Sequence, residues 1–185
     1  MELLFQRPTL VRAFYYFENR DYLCWHTHDD DLTFQRKNII YLYRDPISTI
    51  YSQLRYLGAD TSDAEAVKAC TLQYREHLTK WLLRESFSHR KLLISYRDLE
   101  QSPLATLQRL AGFLRIPWDE SRAREAITYV TKDIVRLKTQ EHDNRVIDTG
   151  LDYSTTKEIF TTLHATLIQG VIHAGDVGLQ SFFRR

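Results

Sequence analysis

Residues Asn38 to Gly58, NIIYLYRDPISTIYSQLRYLG, constrain the fold of this chain more than any other stretch. Ile39 to Tyr43 is a short apolar run rich in β-branched and aromatic residues, and reads as a buried strand. It stops at the charged turn Arg44-Asp45-Pro46, after which apolar residues recur at helical spacing through Ile50, Leu54 and Leu57. Asp45 suits the N-cap, and Pro46 suits the first helical position, where no backbone N–H is needed. A strand that ends in such a turn and opens a helix is an α/β unit. It is also where α/β proteins bind anions, because the first turn of a helix presents unpaired N–H groups. Arg44 stands at the carboxyl end of the strand, and Ser52 follows eight residues later, about two helical turns on. A guanidinium holds a phosphate through two parallel charge-assisted hydrogen bonds, and a nearby hydroxyl adds a third. The same residues also fit a plainer arrangement, a well-capped helix whose arginine is salt-bridged to a neighbour.

The rest of the chain reads as mostly helical, with two further short strands at Tyr22–His26 and Lys91–Ser95. Pro8 to Glu18 has an aromatic helical stripe. Ser62 and Glu65 form a capping-box pattern before a helix carrying Ala64, Val67, Tyr74, Leu78 and Trp81 on one face. Ser102-Pro103 opens a leucine-rich helix with Leu104, Leu107, Leu110, Ala111 and Leu114 inward, ending near Ile116-Pro117. Asp119 begins another helical segment, with Ala123, Ala126, Ile127 and Val130 inward. Lys138 to Asp152 is polar and loop-like. Thr155 and Glu158 suit a capping box for a last helix, with Ile159, Phe160, Leu163 and Leu167 inward. Gly170 to Arg185 either packs on the body or forms a tail. The expected fold class is α/β, a short parallel sheet flanked by helices in a chain that is mostly helical by residue count.

Tyr43-Arg44-Asp45-Pro46 followed by Ser52 resembles the signature of the sulfotransferases that use 3′-phosphoadenosine 5′-phosphosulfate (PAPS). In that family the arginine and the serine bind the 3′-phosphate of the donor, which implies that role for Arg44 and Ser52. The block LLISYRDLEQSPLATLQRLAGFLRIP resembles the family's Y-E-D-L segment, its proline, its leucine-rich helix and its final F-L-G-I-P. Tyr96 takes the tyrosine position, near the adenine in the family. Arg97 stands where glutamate is common, and Arg115 where a glycine precedes I-P. His26-Thr27-His28 loosely resembles a Lys-Thr-His segment whose histidine deprotonates the acceptor hydroxyl. The resemblance therefore implies His28 as catalytic base, with Asp29 or Asp30 as rivals because some carbohydrate sulfotransferases use an acidic base. Arg145 and Gly150, followed by Tyr153, fall where the family carries a late basic loop over the 3′-phosphate, so Arg145 is a weaker candidate for the same site.

What the resemblance implies as a whole is a three-layer fold like that of P-loop NTPases and transfer of a sulfuryl group from PAPS to a hydroxyl, on a carbohydrate or a lipid-linked glycan. It also implies a loop like P-K-S-G-T-T-W for the 5′-phosphosulfate. No stretch matches that loop, and residues 1–44 contain no glycine. The expectation is one sulfotransferase-like domain over residues 1–185 that is incomplete at its N-terminus. A partner chain supplying the loop, or an inactive relative acting as a binding or scaffold protein, are the alternatives. A parallel sheet lacking an inner strand would tend to self-associate.

Composition narrows the classes further. The 185 residues are 43% hydrophobic and 26% charged, ordinary for a globular domain with a real core. Lys plus Arg number 25 against 24 for Asp plus Glu, a net charge of +1 that argues against general nucleic-acid binding. Cys24 and Cys70 are too few for a disulfide framework or a zinc site. His26, His28 and Asp29-Asp30-Asp31 lie too close together for helical or calcium-loop ligand spacing, so no metal is expected. There is no G-x-x-x-x-G-K-[ST] for a P-loop kinase. No run has the length of a membrane helix and MELLFQRP lacks a secretory h-region, so the expected location is cytoplasmic.

Overall fold

The computed structural model describes residues 35–129, 151–174 and 177–183. In chain order the elements are β1 (Arg36–Tyr43), α1 (Pro46–Leu57), α2 (Ala64–Leu78), β2 (Ser88–Ser95), α3 (Tyr96–Gln101), α4 (Pro103–Leu114), α5 (Glu120–Tyr129), α6 (Leu151–His173) and α7 (Val177–Phe183). They fall in two compact units. Residues 35–97 with 151–174 and 177–183 make the first, and residues 98–129 lie in the second. The described residues are mostly helical, with one two-stranded parallel sheet flanked by helices, which agrees with the α/β expectation. The helix expected at Pro8–Glu18, the strand at Tyr22–His26, and Cys24 lie outside the described residues.

In the first unit β1 and β2 run parallel, from Arg36 opposite Ser88 to Tyr43 opposite Ser95. Parallel partners need a long crossover, and α1 and α2 provide it. The start of α1 is set as the sequence implies. Asp45 is extended, at φ −56° and ψ 140°, and its Oδ1 accepts the Ser48 N–H at 2.8 Å. Pro46 disfavours helical geometry at the residue before it, which fixes the boundary. At the other end Gly58 turns left-handed at φ 67°. Its N–H donates to the Arg55 carbonyl at 3.1 Å, and the Ala59 N–H donates to the Leu54 carbonyl at 3.0 Å, the two bonds of a Schellman end. Ile50, Tyr51 and Leu54 face the core, whereas Leu57 is 61% exposed and lies beyond the buried stripe.

The start of α2 departs from expectation. Asp63 is the N-cap, one residue later than Ser62, and its carboxylate accepts the N–H groups of Glu65 and Ala66 at 2.9 and 3.3 Å. Ser62 instead turns back on Asp60, through its N–H at 2.8 Å and its hydroxyl at 2.7 Å. A carboxylate accepting two N–H groups outcompetes a single hydroxyl for this position. The expected helix through Trp81 stops being regular at Leu78. Thr79–Leu83 is a wider turn, closed by the Arg84 N–H on the Thr79 carbonyl at 3.2 Å. This shift of phase buries Lys80, Trp81 and Leu82 in succession. Lys91, from β2, donates to the Trp81 and Arg84 carbonyls at 3.3 and 2.9 Å and so ties the turn to the sheet.

Helix α6 also differs from the reading of its sequence. It already runs from Leu151, so Thr155 is interior to it and caps nothing. The Tyr51 hydroxyl bonds Thr156 Oγ1 and donates to the Tyr153 carbonyl at 3.5 Å, tying the first turns to α1. Ile159 and Leu163, expected inward, are 55% and 59% exposed. The buried stripe is Phe160, His164, Ile168 and Ile172, at four-residue spacing. A histidine in the second position of that stripe conceals its phase. Gly170 to Arg185 packs on the body as far as it is described. Leu179 of α7 is fully buried, and Phe182 and Phe183 meet Tyr43 edge-on at 6.0 and 5.9 Å.

In the second unit α4 and α5 pack around Ala123 and Ala126, with Leu104, Leu107 and Trp118 against them. Pro103 opens α4, and the Ser102 carbonyl accepts the Thr106 N–H at 3.0 Å, although the Ser102 hydroxyl makes no cap bond. Helix α4 ends at Leu114, with Arg115 left-handed at φ 56° and ψ 41°. The Arg115 N–H reaches the Gly112 carbonyl at 3.2 Å, and the Ile116 N–H reaches the Ala111 carbonyl at 3.0 Å, a second Schellman end with arginine where glycine is usual. The Asp119 carboxylate caps α5 by accepting the Arg122 N–H at 3.0 Å.

Candidate functional site

The register of the sheet assembles the centre of the site. Tyr43 and Ser95 are paired, so the next residues, Arg44 and Tyr96, leave parallel strands side by side. The Arg44 guanidinium lies over the Tyr96 ring, its carbon 4.6 Å from the ring centroid. Such stacking is worth about 0.5–1 kcal/mol at exposed sites and about 2 kcal/mol when desolvated. The Arg44 side chain is 36% exposed, between those limits, and its Nε is 4.0 Å from Asp45 Oδ2, the outer limit of an ion pair. Asp45 Oδ1 meanwhile holds the start of α1.

Only Arg44 and Asp45 separate the end of β1 from the start of α1. The Arg44 backbone is completed by a side chain from α2. The Tyr74 hydroxyl donates to the Arg44 carbonyl at 2.8 Å and accepts the Arg44 N–H at 3.3 Å. Burial raises the Tyr74 hydroxyl above the ordinary tyrosine value, more than the hydrogen bonds from Thr49 and the Arg44 backbone lower it. Burial also raises neighbouring Tyr41, with Tyr74 adding to the effect. Both phenols therefore stay protonated through the physiological range.

Ser52 is half-buried in α1, with its hydroxyl 3.3 Å from the Tyr153 hydroxyl. Tyr153 belongs to the first turns of α6, and its ring is edge-on to Tyr51 at 5.1 Å. Ser52 and Tyr153 thus form a pair of hydroxyls from two helices. Of the residues singled out by sequence, Arg44, Ser52 and Tyr96 are described, and the structure brings Arg44 and Tyr96 into contact. His28, Asp29, Asp30 and Arg145 lie outside the described residues. Tyr74, read from the sequence only as a helix-face residue, is the addition at Arg44, and the pairing of Tyr153 with Ser52 is the other. Tyr74 lies 30 residues from Arg44 and Tyr153 lies 101 from Ser52, so no local pattern pairs them.

Chemically, the described residues offer a guanidinium with one face on an aromatic ring, a pair of hydroxyls on Ser52 and Tyr153, and a helix start. Guanidinium and hydroxyl groups both donate to anionic oxygens such as those of a phosphate. Among the described residues no group of three or more His, Cys, Asp or Glu is placed to hold a metal ion. No described helix is long and apolar enough to cross a membrane.

These features define an α/β protein with an arginine turn at the carboxyl edge of a parallel sheet. The model of a family described as "Sulfotransferase family" matches residues 31–120, so that segment, from before β1 to the start of α5, is a sulfotransferase-family domain. The matched segment contains Arg44, Ser52, Tyr74 and Tyr96. The search of curated proteins returned no match. The general chemistry of the family is sulfuryl transfer.

Proposed function

We propose that this protein binds PAPS through its 3′-phosphate and transfers the sulfuryl group to a hydroxyl on a carbohydrate or lipid-linked glycan, within a three-layer fold like that of P-loop NTPases. The observation that carries this reading is the meeting of Arg44 with Tyr96 at the paired ends of β1 and β2, inside the family segment. Arg44 and Ser52 take the 3′-phosphate, and the Tyr96 ring lies on the adenine side. Arg145 is the weaker candidate for a further contact. His28, or Asp29 or Asp30, accepts the proton of the acceptor hydroxyl. When bound, PAPS supplies the activated sulfuryl group; the contribution of Arg44 and Ser52 is to fix its orientation for in-line attack.

A hydrogen bond to a charged group is worth about 1.5–3 kcal/mol net, so Arg44→Ala weakens binding of adenosine 3′,5′-bisphosphate by about tenfold or more. Titration calorimetry of both proteins measures this, and equal affinity removes Arg44 from the site. A second reading is a catalytically inactive binding protein of the same family. Labelled sulfate transfer from PAPS to a panel of glycan and lipid acceptors separates the two. Bisphosphate binding with no transfer supports the second reading.

A further inference from the structure

We infer that Tyr74 is a positioning residue for Arg44, holding the arginine's backbone so that its guanidinium rests on Tyr96 with its donors set for a phosphate. The inference rests on the proposed 3′-phosphate role of Arg44. A single phenol takes both backbone polar groups of one residue, donating to the Arg44 carbonyl at 2.8 Å and accepting the Arg44 N–H at 3.3 Å. A tyrosine hydroxyl has one proton to give, and here it goes to the carbonyl while a lone pair takes the N–H.

Arg44 sits where the chain leaves β1 and before α1 begins, so helix and sheet do not dictate its conformation as they do that of their own residues. Tyr74 and Tyr96 fix the residue at its two ends. The hydroxyl holds the backbone, and the ring supports the guanidinium. The arginine side chain has several rotatable bonds, and a small rotation about its backbone swings the guanidinium by several ångströms. Holding the peptide groups on both sides of the Arg44 Cα therefore removes conformational freedom that binding would otherwise have to remove. Burial keeps the phenol protonated, so the donor half of the clamp persists at neutral pH. Tyr74 lies in the part-buried layer against the core, so Tyr74→Phe removes the hydroxyl and keeps the ring packing.

The test is a double-mutant cycle on the full chain with adenosine 3′,5′-bisphosphate as probe, read by calorimetry. Tyr74→Phe is expected to weaken binding by about three- to tenfold. In an Arg44→Ala background the same change is expected to alter affinity by less than about twofold. A loss of equal size in both backgrounds makes Tyr74 merely structural and overturns the inference. Amide hydrogen exchange gives a readout that needs no ligand. Exchange at the Arg44 N–H is expected to quicken by about tenfold or more in Tyr74→Phe, with the Ile50 and Leu54 amides unchanged. Unchanged exchange at Arg44, or quickening spread evenly over α1, overturns the inference. Failure of the unmutated protein to bind the bisphosphate overturns the 3′-phosphate reading instead, and the exchange result still decides whether Tyr74 holds Arg44.

Discussion

The two Schellman ends make a matched experiment. Helix α1 closes on Gly58 at φ 67° and α4 closes on Arg115 at φ 56°, with the same pair of hydrogen bonds at each. A left-handed backbone costs an L-residue about 1–2 kcal/mol, because Cβ crowds the following carbonyl. Glycine escapes that cost but brings about 0.4–1 kcal/mol of additional unfolded-state freedom. The balance makes Arg115→Gly stabilising by about 0.5–1 kcal/mol. The Arg115 side chain is exposed, so its removal forfeits no core packing. Gly58→Ala is the reverse case. Nothing lies within 4 Å of the added Cβ, so the cost is conformational alone, about 0.5–1.5 kcal/mol destabilising. For a chain of this size each kcal/mol moves the melting temperature by about 2–4 °C. Thermal unfolding followed by far-ultraviolet circular dichroism, with urea titration alongside, measures both shifts. A lower Tm for Arg115→Gly, or a higher one for Gly58→Ala, refutes the account of these helix ends.

Three further outcomes are expected. Phe160→Ala costs about 3–5 kcal/mol in urea unfolding, since the ring is 1% exposed; Ile159→Ala stays within about 0.5 kcal/mol, and comparable losses at the two positions contradict the face assigned to α6. Lys91→Met, which keeps the stem but removes the donor to two carbonyls, destabilises by about 1–3 kcal/mol and quickens exchange in the Thr79–Leu83 turn, whereas unchanged exchange there detaches Lys91 from it. Asp60 is held below the ordinary aspartate value by hydrogen bonds from the Ser62 backbone and then its hydroxyl. That depressed value means the contribution of these bonds is present at neutral pH and lost as pH falls through the folded-state pKa. Ser62→Ala raises the Asp60 pKa partway back, as followed by NMR titration, and an unmoved Asp60 removes the hydroxyl from the explanation.

Much of the first unit is legible locally, because caps and turns are short-range. Asp45, Pro46 and Gly58 bound α1 where the sequence implies, and Asp119 does the same for α5. The errors also have local causes. Ser62 and Asp63 are both capping residues, and only their competition for the same N–H groups selects Asp63. In α6 apolar residues occupy two faces, and His164 sits in the buried one, so hydropathy spacing alone chooses wrongly. The site divides in the same way. Arg44, Ser52 and Tyr96 stand in short recognisable stretches, while Tyr74 and Tyr153 reach them across long separations that only tertiary packing closes.

The flush pairing of Tyr43 with Ser95 makes the length of β1 as consequential as its composition. Inserting or deleting one residue there slides the strand by about 3.3 Å and turns each later side chain to the opposite face. Tyr41 and Tyr43 would trade places with Leu42, and Arg44 would be drawn one pleat away from Tyr96. The ruler that places the arginine is thus the count of residues along the strand. A change in length therefore disturbs this segment more than a conservative exchange, while the Ala59–Asp63 connection, with its exposed Asp60, Ser62 and Asp63, accommodates an added or lost residue at lower cost.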